Sequence, residues 1–297
     1  MINRYNKGCL LIFLILIAIL SGCGGSATTK VGTTPTSFKN TVRPRNPGTP
    51  GTQLTVTPQP STVSTPTPAP TPTASDSLVS GGAFTTLSPG STLPSDAECA
   101  ARVQRSSWEP RPDNSAANNT NVYAQGYRLT GSYLGYLKQQ VYEQKVTGNF
   151  TGTTDEILQW GACKWGIDVD IVRAQAVKEG YWRQSTLGDC NGGTVPETNG
   201  CQSVGILQIK GANVPPTHPG TWPYAFESTA FNVDYTYAVW RVCFDGKETW
   251  LGNGYHAGDV WGCVGRWFSG DWYGNSLNYI AGVKTILSNK DWLQPGF

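Results

Sequence analysis

The stretch Ile167-Asp168-Val169-Asp170-Ile171-Val172-Arg173-Ala174-Gln175-Ala176-Val177-Lys178-Glu179 decides the reading of this chain, together with Ser203-Val204-Gly205-Ile206-Leu207-Gln208-Ile209 downstream. The first segment predicts a helix. Asp168 suits its N-cap, where a carboxylate accepts an orphan backbone N–H, and Gly180 suits its end. Glu179 therefore sits at the close of an apolar helix. A carboxylic acid delivers a proton near neutral pH only when a poorly solvated setting raises its pKa. Ala176 and Val177 before Glu179, and Tyr181 and Trp182 after it, supply apolar neighbours of that kind. Glu179 is the candidate general acid.

Further helices are expected around this core. Residues 133–146 place apolar groups at helical spacing. Residues 154–165 predict a second helix with Ile157, Leu158 and Trp160 inward. A long helix is expected over 229–242, with Phe231, Tyr235, Ala238, Val239 and Val242 on one face. The last spans about 277–287. Signals for β structure are weak and short, and Cys190–Cys201 brackets a Gly/Asn/Thr-rich loop. Residues 96–297 thus read as one mainly α-helical domain with a small irregular β element.

The sequence before residue 96 is of another kind. Arg4 and Lys7 precede an unbroken apolar run, Leu10 to Leu20. Eleven helical residues at about 1.5 Å each fall short of a hydrocarbon core of about 30 Å, so residues 1–22 read as a signal peptide. Leu20-Ser21-Gly22-Cys23 resembles a bacterial lipobox, which implies lipidation of Cys23 as the mature N-terminus. Residues 23–95 hold twelve of the chain's 20 Pro, and all 11 Trp lie at or after Trp108. Such a segment cannot bury enough surface to offset its ordering entropy and reads as a disordered Thr/Pro/Ser-rich linker. As a coil it would reach about 50 Å.

Eight Cys are present. With Cys9 and Cys23 set aside, Cys99, Cys163, Cys190, Cys201, Cys243 and Cys263 form an even set in an exported chain, which reads as three disulfides. Six cysteines allow 15 pairings; Cys190–Cys201, which closes one short loop, is the first expected pair, with Cys243–Cys263 and Cys99–Cys163 expected from the four that remain. The chain has no CxxC pair and only two His, His218 and His256, so no metal site is expected. The even count leaves no spare thiol for a Cys–His peptidase. Six of the 22 Lys/Arg and one of the 20 Asp/Glu precede residue 96, which leaves the domain slightly acidic. That gives no footprint for nucleic acid.

The acid at the helix end and the Gly205-Ile206-Leu207-Gln208 turn, with Ser203 just before it, resemble the transglycosylase SLT domain and the goose-type lysozymes. The resemblance covers roughly residues 160–290. Here Glu179-Gly180 stands where the SLT family has Glu-Ser. Arg266-Trp267-Phe268-Ser269-Gly270 keeps only the aromatic and the Gly of Ala-Tyr-Asn-x-Gly, and Tyr279 and Val283 match a further Tyr…Val pair. The resemblance implies a lysozyme-like α+β fold and cleavage of peptidoglycan strands. It implies Glu179 as the acid, Gln208 and Tyr279 as donors to the sugar, and Ser203, Trp267 and Phe268 among the substrate contacts.

Trp261, Trp272 and Tyr273 could add flat platforms for sugar rings. No second carboxylate announces itself as in paired-acid glycosidases, although Asp189, Asp245, Asp259 and Asp271 are candidates. The family route then needs no cofactor: the substrate's own N-acetyl group assists, and a 1,6-anhydro end forms. The expectation is a monomeric, membrane-tethered lytic transglycosylase held outside the cell by its lipid on Cys23, with peptidoglycan as partner and no nucleic acid. A hydrolytic muramidase and a non-catalytic glycan-binding lipoprotein are the alternatives.

Overall fold

The computed structural model describes residues 84–191, 195–212, 216–252 and 254–297. The signal segment, Cys23 and the linker up to residue 83 lie outside the described residues. The domain is mostly helical: α1 (Asp96–Arg102), α2 (Ser115–Asn118), α3 (Tyr133–Tyr136), α4 (Gln140–Lys145), α5 (Thr154–Trp165), α6 (Val169–Gly180), α7 (Tyr224–Glu227), α8 (Thr229–Phe244), α9 (Val260–Ser269) and α10 (Leu277–Asn289). A two-stranded antiparallel sheet, β1 (Leu187–Gly188) and β2 (Ser203–Val204), pairs Leu187 with Val204 and Gly188 with Ser203.

The expected one-sided helix over 229–242 is a central one. Every residue of α8 is buried, as is every residue of α5 packed against it. A helix apolar all round belongs inside a core, but α8 also carries Asp234 and Arg241, and both charges are matched. Asp234 takes Lys164 at 2.7 Å and the Trp165 indole N–H at 2.7 Å. Arg241 pairs with Asp245 at 2.8 Å. Buried charges persist only with such partners. Trp160, Trp165, Trp240, Phe231 and Tyr235 fill the space around them.

Two helix starts are capped, the second as its sequence signal predicts. Thr153 and Glu156 form a capping box at the start of α5. Asp168 caps α6 by accepting from the Asp170 amide at 2.8 Å and the Ile171 amide at 3.4 Å. The far end of α6 falls at Gly180 as expected, although Gly180 is not its left-handed cap. Gly180 is its last helical residue, and the chain leaves through Tyr181 and Trp182, both left-handed at φ 51° and 59°. Gly180 is required for closeness instead: a Cβ there would meet the Ile206 carbonyl oxygen at 2.8 Å.

The single helix expected over 133–146 is two short ones. Lys138 turns left-handed at φ 59° between α3 and α4, and α4 brings the buried Glu143 back onto the Ser132 amide at 2.7 Å. That return needs Gly135, where a Cβ would lie 3.0 Å from both Glu143 oxygens. The domain also begins earlier than residue 96. Phe84 is buried, Leu87 N–H donates to Gly166 O at 3.0 Å, and Arg241 donates to Leu87 O and Ser88 O at 3.1 and 2.7 Å. Residues 84–95 pack on the domain because their carbonyls complete the buried guanidinium's partners.

All three disulfides form as read: Cys99–Cys163 ties α1 to α5, Cys243–Cys263 ties α8 to α9, and Cys190–Cys201 closes the loop between β1 and β2.

Candidate active site

The close contact of Gly180 with the Gly205–Gln208 turn brings the end of α6 against the β element and opens a cleft of about 890 Å³. Glu179 lines it. Asp189, Ser203, Gln208 and Lys210 come from the β side, and Trp267 and Phe268 come from α9. Of the cleft residues expected from the resemblance, Tyr279 alone stands outside the lining; it reaches Glu179 from α10.

Glu179 is half-buried. Burial pushes its carboxyl up to about 7; the Tyr279 hydrogen bond and Lys178 oppose that rise, and Asp189 adds to it. A carboxyl with that pKa is a proton donor at neutral pH. The Tyr279 hydroxyl donates to Glu179 Oε1. Tyr279 is buried and stacks on Phe268, centroids 4.5 Å apart and planes within 6°. Tyr279, expected among the donors to the sugar, is here the hydrogen-bond partner of Glu179, because α10 packs directly on α6.

Gln208 is held by the backbone of its own turn and of Thr186. It stands in the left-handed region at φ 54°, and its amide N–H groups go to Thr186 O at 3.0 Å and Gly205 O at 2.7 Å. Its donors are spent on the backbone, so it can offer a glycan only its carbonyl oxygen. Ser203 donates to Asp189 Oδ2 at 2.7 Å, and Lys210 approaches the same oxygen at 3.4 Å. Asp189 has φ 52°. Non-glycine residues held in that region concentrate at functional sites.

The other acids weighed from sequence have structural employment. Asp245 is paired with Arg241 and accepts from the Tyr142 hydroxyl. Asp259 caps α9 and accepts from Tyr273. Asp271 organises its own turn with Ser269 and Asn275. The aromatic candidates divide. Trp267 donates its indole N–H to Leu207 O at 3.0 Å and keeps a face on the cleft, and Phe268 is exposed there. Trp261, Trp272 and Tyr273 do not line it: Trp261 lies beneath Lys284, and Trp272 packs on Tyr255 and Tyr273.

Sequence reasoning missed the opposite wall. Tyr133, Tyr136 and Leu137 from the α3 region, Trp250, and the buried group His218 and Arg266 complete the lining. Tyr136 is 83% exposed and Trp250 54% exposed, so both rings are free to take a flat ligand. Arg266 pairs with Glu248 at 2.6 Å and reaches the Tyr133 hydroxyl at 2.6 Å. Burial works against the guanidinium charge, yet Glu248 and Tyr133 together raise its pKa above the ordinary value. His218 stacks on Trp267 and bonds Tyr235 through Nδ1 at 2.9 Å. Burial pushes its imidazole down to about 3, with Arg266 acting the same way, so it is neutral. The only available signal for this wall was the run of aromatics at 133–136, absorbed there into a helix pattern.

Among the described residues no group of three His, Cys, Asp or Glu could hold a metal ion, and no helix is long and apolar enough to cross a membrane. No family model, no curated protein and no solved structure matches the chain.

Proposed function

We propose that this chain cleaves the β-1,4 bond between N-acetylmuramic acid and N-acetylglucosamine in peptidoglycan, as a lytic transglycosylase of lysozyme-like fold tethered to the membrane by a lipid on Cys23. The observation that carries the reading is Glu179: a carboxyl with its pKa near 7 in an open cleft rimmed by flat aromatic rings. Sugar rings present apolar C–H faces to such rings, and Tyr136, Trp250 and Phe268 offer them.

The reaction follows from one acid. Glu179 gives its proton to the glycosidic oxygen as the C1–O bond breaks, and the substrate's N-acetyl oxygen closes on C1. The Glu179 carboxylate then takes the proton from the C6 hydroxyl, and O6 displaces the acetamido oxygen from C1. The products are a chain with a free 4-hydroxyl and a 1,6-anhydro end, and the glutamate is again protonated. No water is consumed.

A second reading is favoured by Asp189. It shares the cleft with Glu179 and is oriented by Ser203 at 2.7 Å. A carboxylate there could activate water in a paired-acid hydrolysis. Mass analysis of fragments released from purified peptidoglycan separates the two, since an anhydro end is one water lighter than a reducing end. Anhydro ends that survive Asp189→Asn support transglycosylation; reducing ends lost with Asp189→Asn support hydrolysis. Release by the parent, abolished in Glu179→Gln, is expected on both. A parent that binds glycan and releases nothing would make the chain a binding lipoprotein.

A further inference from the structure

His218 lines the same cleft as Glu179, although it is only 8% exposed. Three aromatic rings fix its imidazole. Trp267 stacks on it at 5.3 Å with planes 24° apart, and Tyr133 and Tyr235 meet it edge-on at 5.8 and 5.4 Å. Nδ1 lies 2.9 Å from the Tyr235 hydroxyl oxygen. Nε2 has no partner among the described residues and is not closed off from solvent. It is the nitrogen with which the ring meets the cleft.

The bond to Tyr235 settles what Nε2 can do. Burial, with Arg266 acting the same way, keeps the imidazole neutral, so the ring holds one N–H and one nitrogen lone pair. Were the hydrogen on Nδ1, Tyr235 would accept it, and its own hydroxyl proton would be left in the core without an acceptor. Tyr235 is wholly buried, and His218 is its one hydrogen-bond partner among the described residues. A buried donor left idle costs about 1–3 kcal/mol. With Tyr235 donating to Nδ1, neither group is left idle. The ring hydrogen then sits on Nε2 and is offered to the cleft.

Such a donor is uncharged. The neighbouring Arg266 is already paired with Glu248 at 2.6 Å, so the wall has no cation waiting for a carboxylate. Indole faces flank the pair: Trp267 lies against His218 and Trp250 against Arg266. A neutral N–H among apolar faces suits a carbonyl oxygen that carries a methyl group beside it. The acetamido group of an N-acetylated sugar has both, and its carbonyl is a stronger acceptor than a sugar hydroxyl. We propose that His218, with its tautomer set by Tyr235, is a binding residue that donates from Nε2–H to the acetamido carbonyl oxygen of an N-acetylated glycan. This rests on the glycan reading of the cleft, and not on Glu179 acting as the acid.

The chain has only two His. Nitrogen NMR of the full chain labelled at histidine therefore shows two imidazoles, and His256→Gln identifies the one that remains. His218 is expected as the Nε2–H tautomer at neutral pH, and Tyr235→Phe should turn it into a mixture as Nδ1 loses its donor. Adding the tetramer of N-acetylglucosamine should move the Nε2–H signal. The β-1,4 tetramer of glucose, with a hydroxyl in place of each acetamido group, should leave it where it is. In titration calorimetry His218→Phe, which keeps a stacked ring and loses the donor, should weaken binding of the N-acetylglucosamine tetramer about 3- to 10-fold, the equivalent of one neutral hydrogen bond. His218→Gln, whose amide N–H can stand in for Nε2–H, should recover most of that loss. A ring that serves packing alone gives the reverse order for these two variants.

An Nδ1–H tautomer in the parent overturns the proposal. So does an Nε2–H signal that the N-acetylglucosamine tetramer leaves unmoved, or that the glucose tetramer moves equally, and these readings need no variant of His218. Equal binding by folded His218→Phe and the parent overturns it as well. A parent whose Nε2–H responds to the N-acetylglucosamine tetramer but which releases no fragments from peptidoglycan would overturn the catalytic reading alone.

Discussion

Replacing Glu179 with Gln should stabilise the folded domain, and only at neutral to alkaline pH. The carboxyl has a folded-state pKa of about 7 against 4.5 for the same group in the open chain. The folded state therefore holds its proton more tightly. The stability this group contributes is fully present below pH 4.5 and is lost as pH rises through 7. The span of about 2.5 pH units corresponds to about 3 kcal/mol, and partial contact with water reduces this to about 2–3 kcal/mol. Glutamine has no charge to desolvate, and its Oε1 can still accept from Tyr279. At pH 8 the variant should melt about 5–10 °C above the parent, since 1 kcal/mol moves the midpoint of a domain of this size by about 2–4 °C. At pH 4 the two curves should coincide. Calorimetry across that range with the disulfides intact is the measurement, and it needs no substrate. Equal melting temperatures at pH 8 would mean that the Glu179 carboxylate is well solvated, and the argument for a proton donor at neutral pH would fall with it.

The remaining predictions concern the frame of the cleft. Gly180→Ala places a methyl against Ile206; it should cost about 1–3 kcal/mol by denaturant titration and lower fragment release, because the Gly205–Gln208 turn must retreat. Lys164→Met leaves Asp234 buried without its cation and should cost about 3–5 kcal/mol, with a lower urea midpoint at unchanged slope. Trp250→Ala removes an exposed platform; sedimentation with insoluble peptidoglycan should show binding weakened by about 0.5–1.5 kcal/mol. Unchanged binding would remove Trp250 from the glycan path.

Much of the frame was legible because local signals and burial agree. The Asp168 cap and the apolar runs at 154–165 and 229–242 mark helices that the core then uses. The cysteine count and one short loop singled out Cys190–Cys201, while the other four cysteines still allowed three pairings. Glu179 stood out because apolar residues flank it on both sides. What sequence hid were relations between distant segments. Nothing local shows that Tyr279 would meet Glu179 from beneath, or that Gln208 would spend its amide on Thr186. Gly180 read as a helix stop because its true constraint, the Ile206 carbonyl, lies 26 residues away. Phe84 to Leu93 read as linker because Pro and Ser dominate their neighbourhood, while the demand for their carbonyls comes from Arg241.

The two sides of the cleft are held by different means, and they should open at different rates. Glu179 and its partner Tyr279 stand on α6 and α10, whose inner faces belong to the main core. Asp189 and Ser203 stand on a ladder two residues long, closed by Cys190–Cys201. Amide hydrogens of α8 and of the core residue Val204 should exchange only through global unfolding, whereas the exposed Cys190–Cys201 loop needs only a local excursion. The molecule thus pairs a rigid anvil carrying the acid with a compliant jaw across from it. Under the proposed function, a cross-linked polymer entering between them would ask movement of the exposed loop alone, and the acid need not leave its setting.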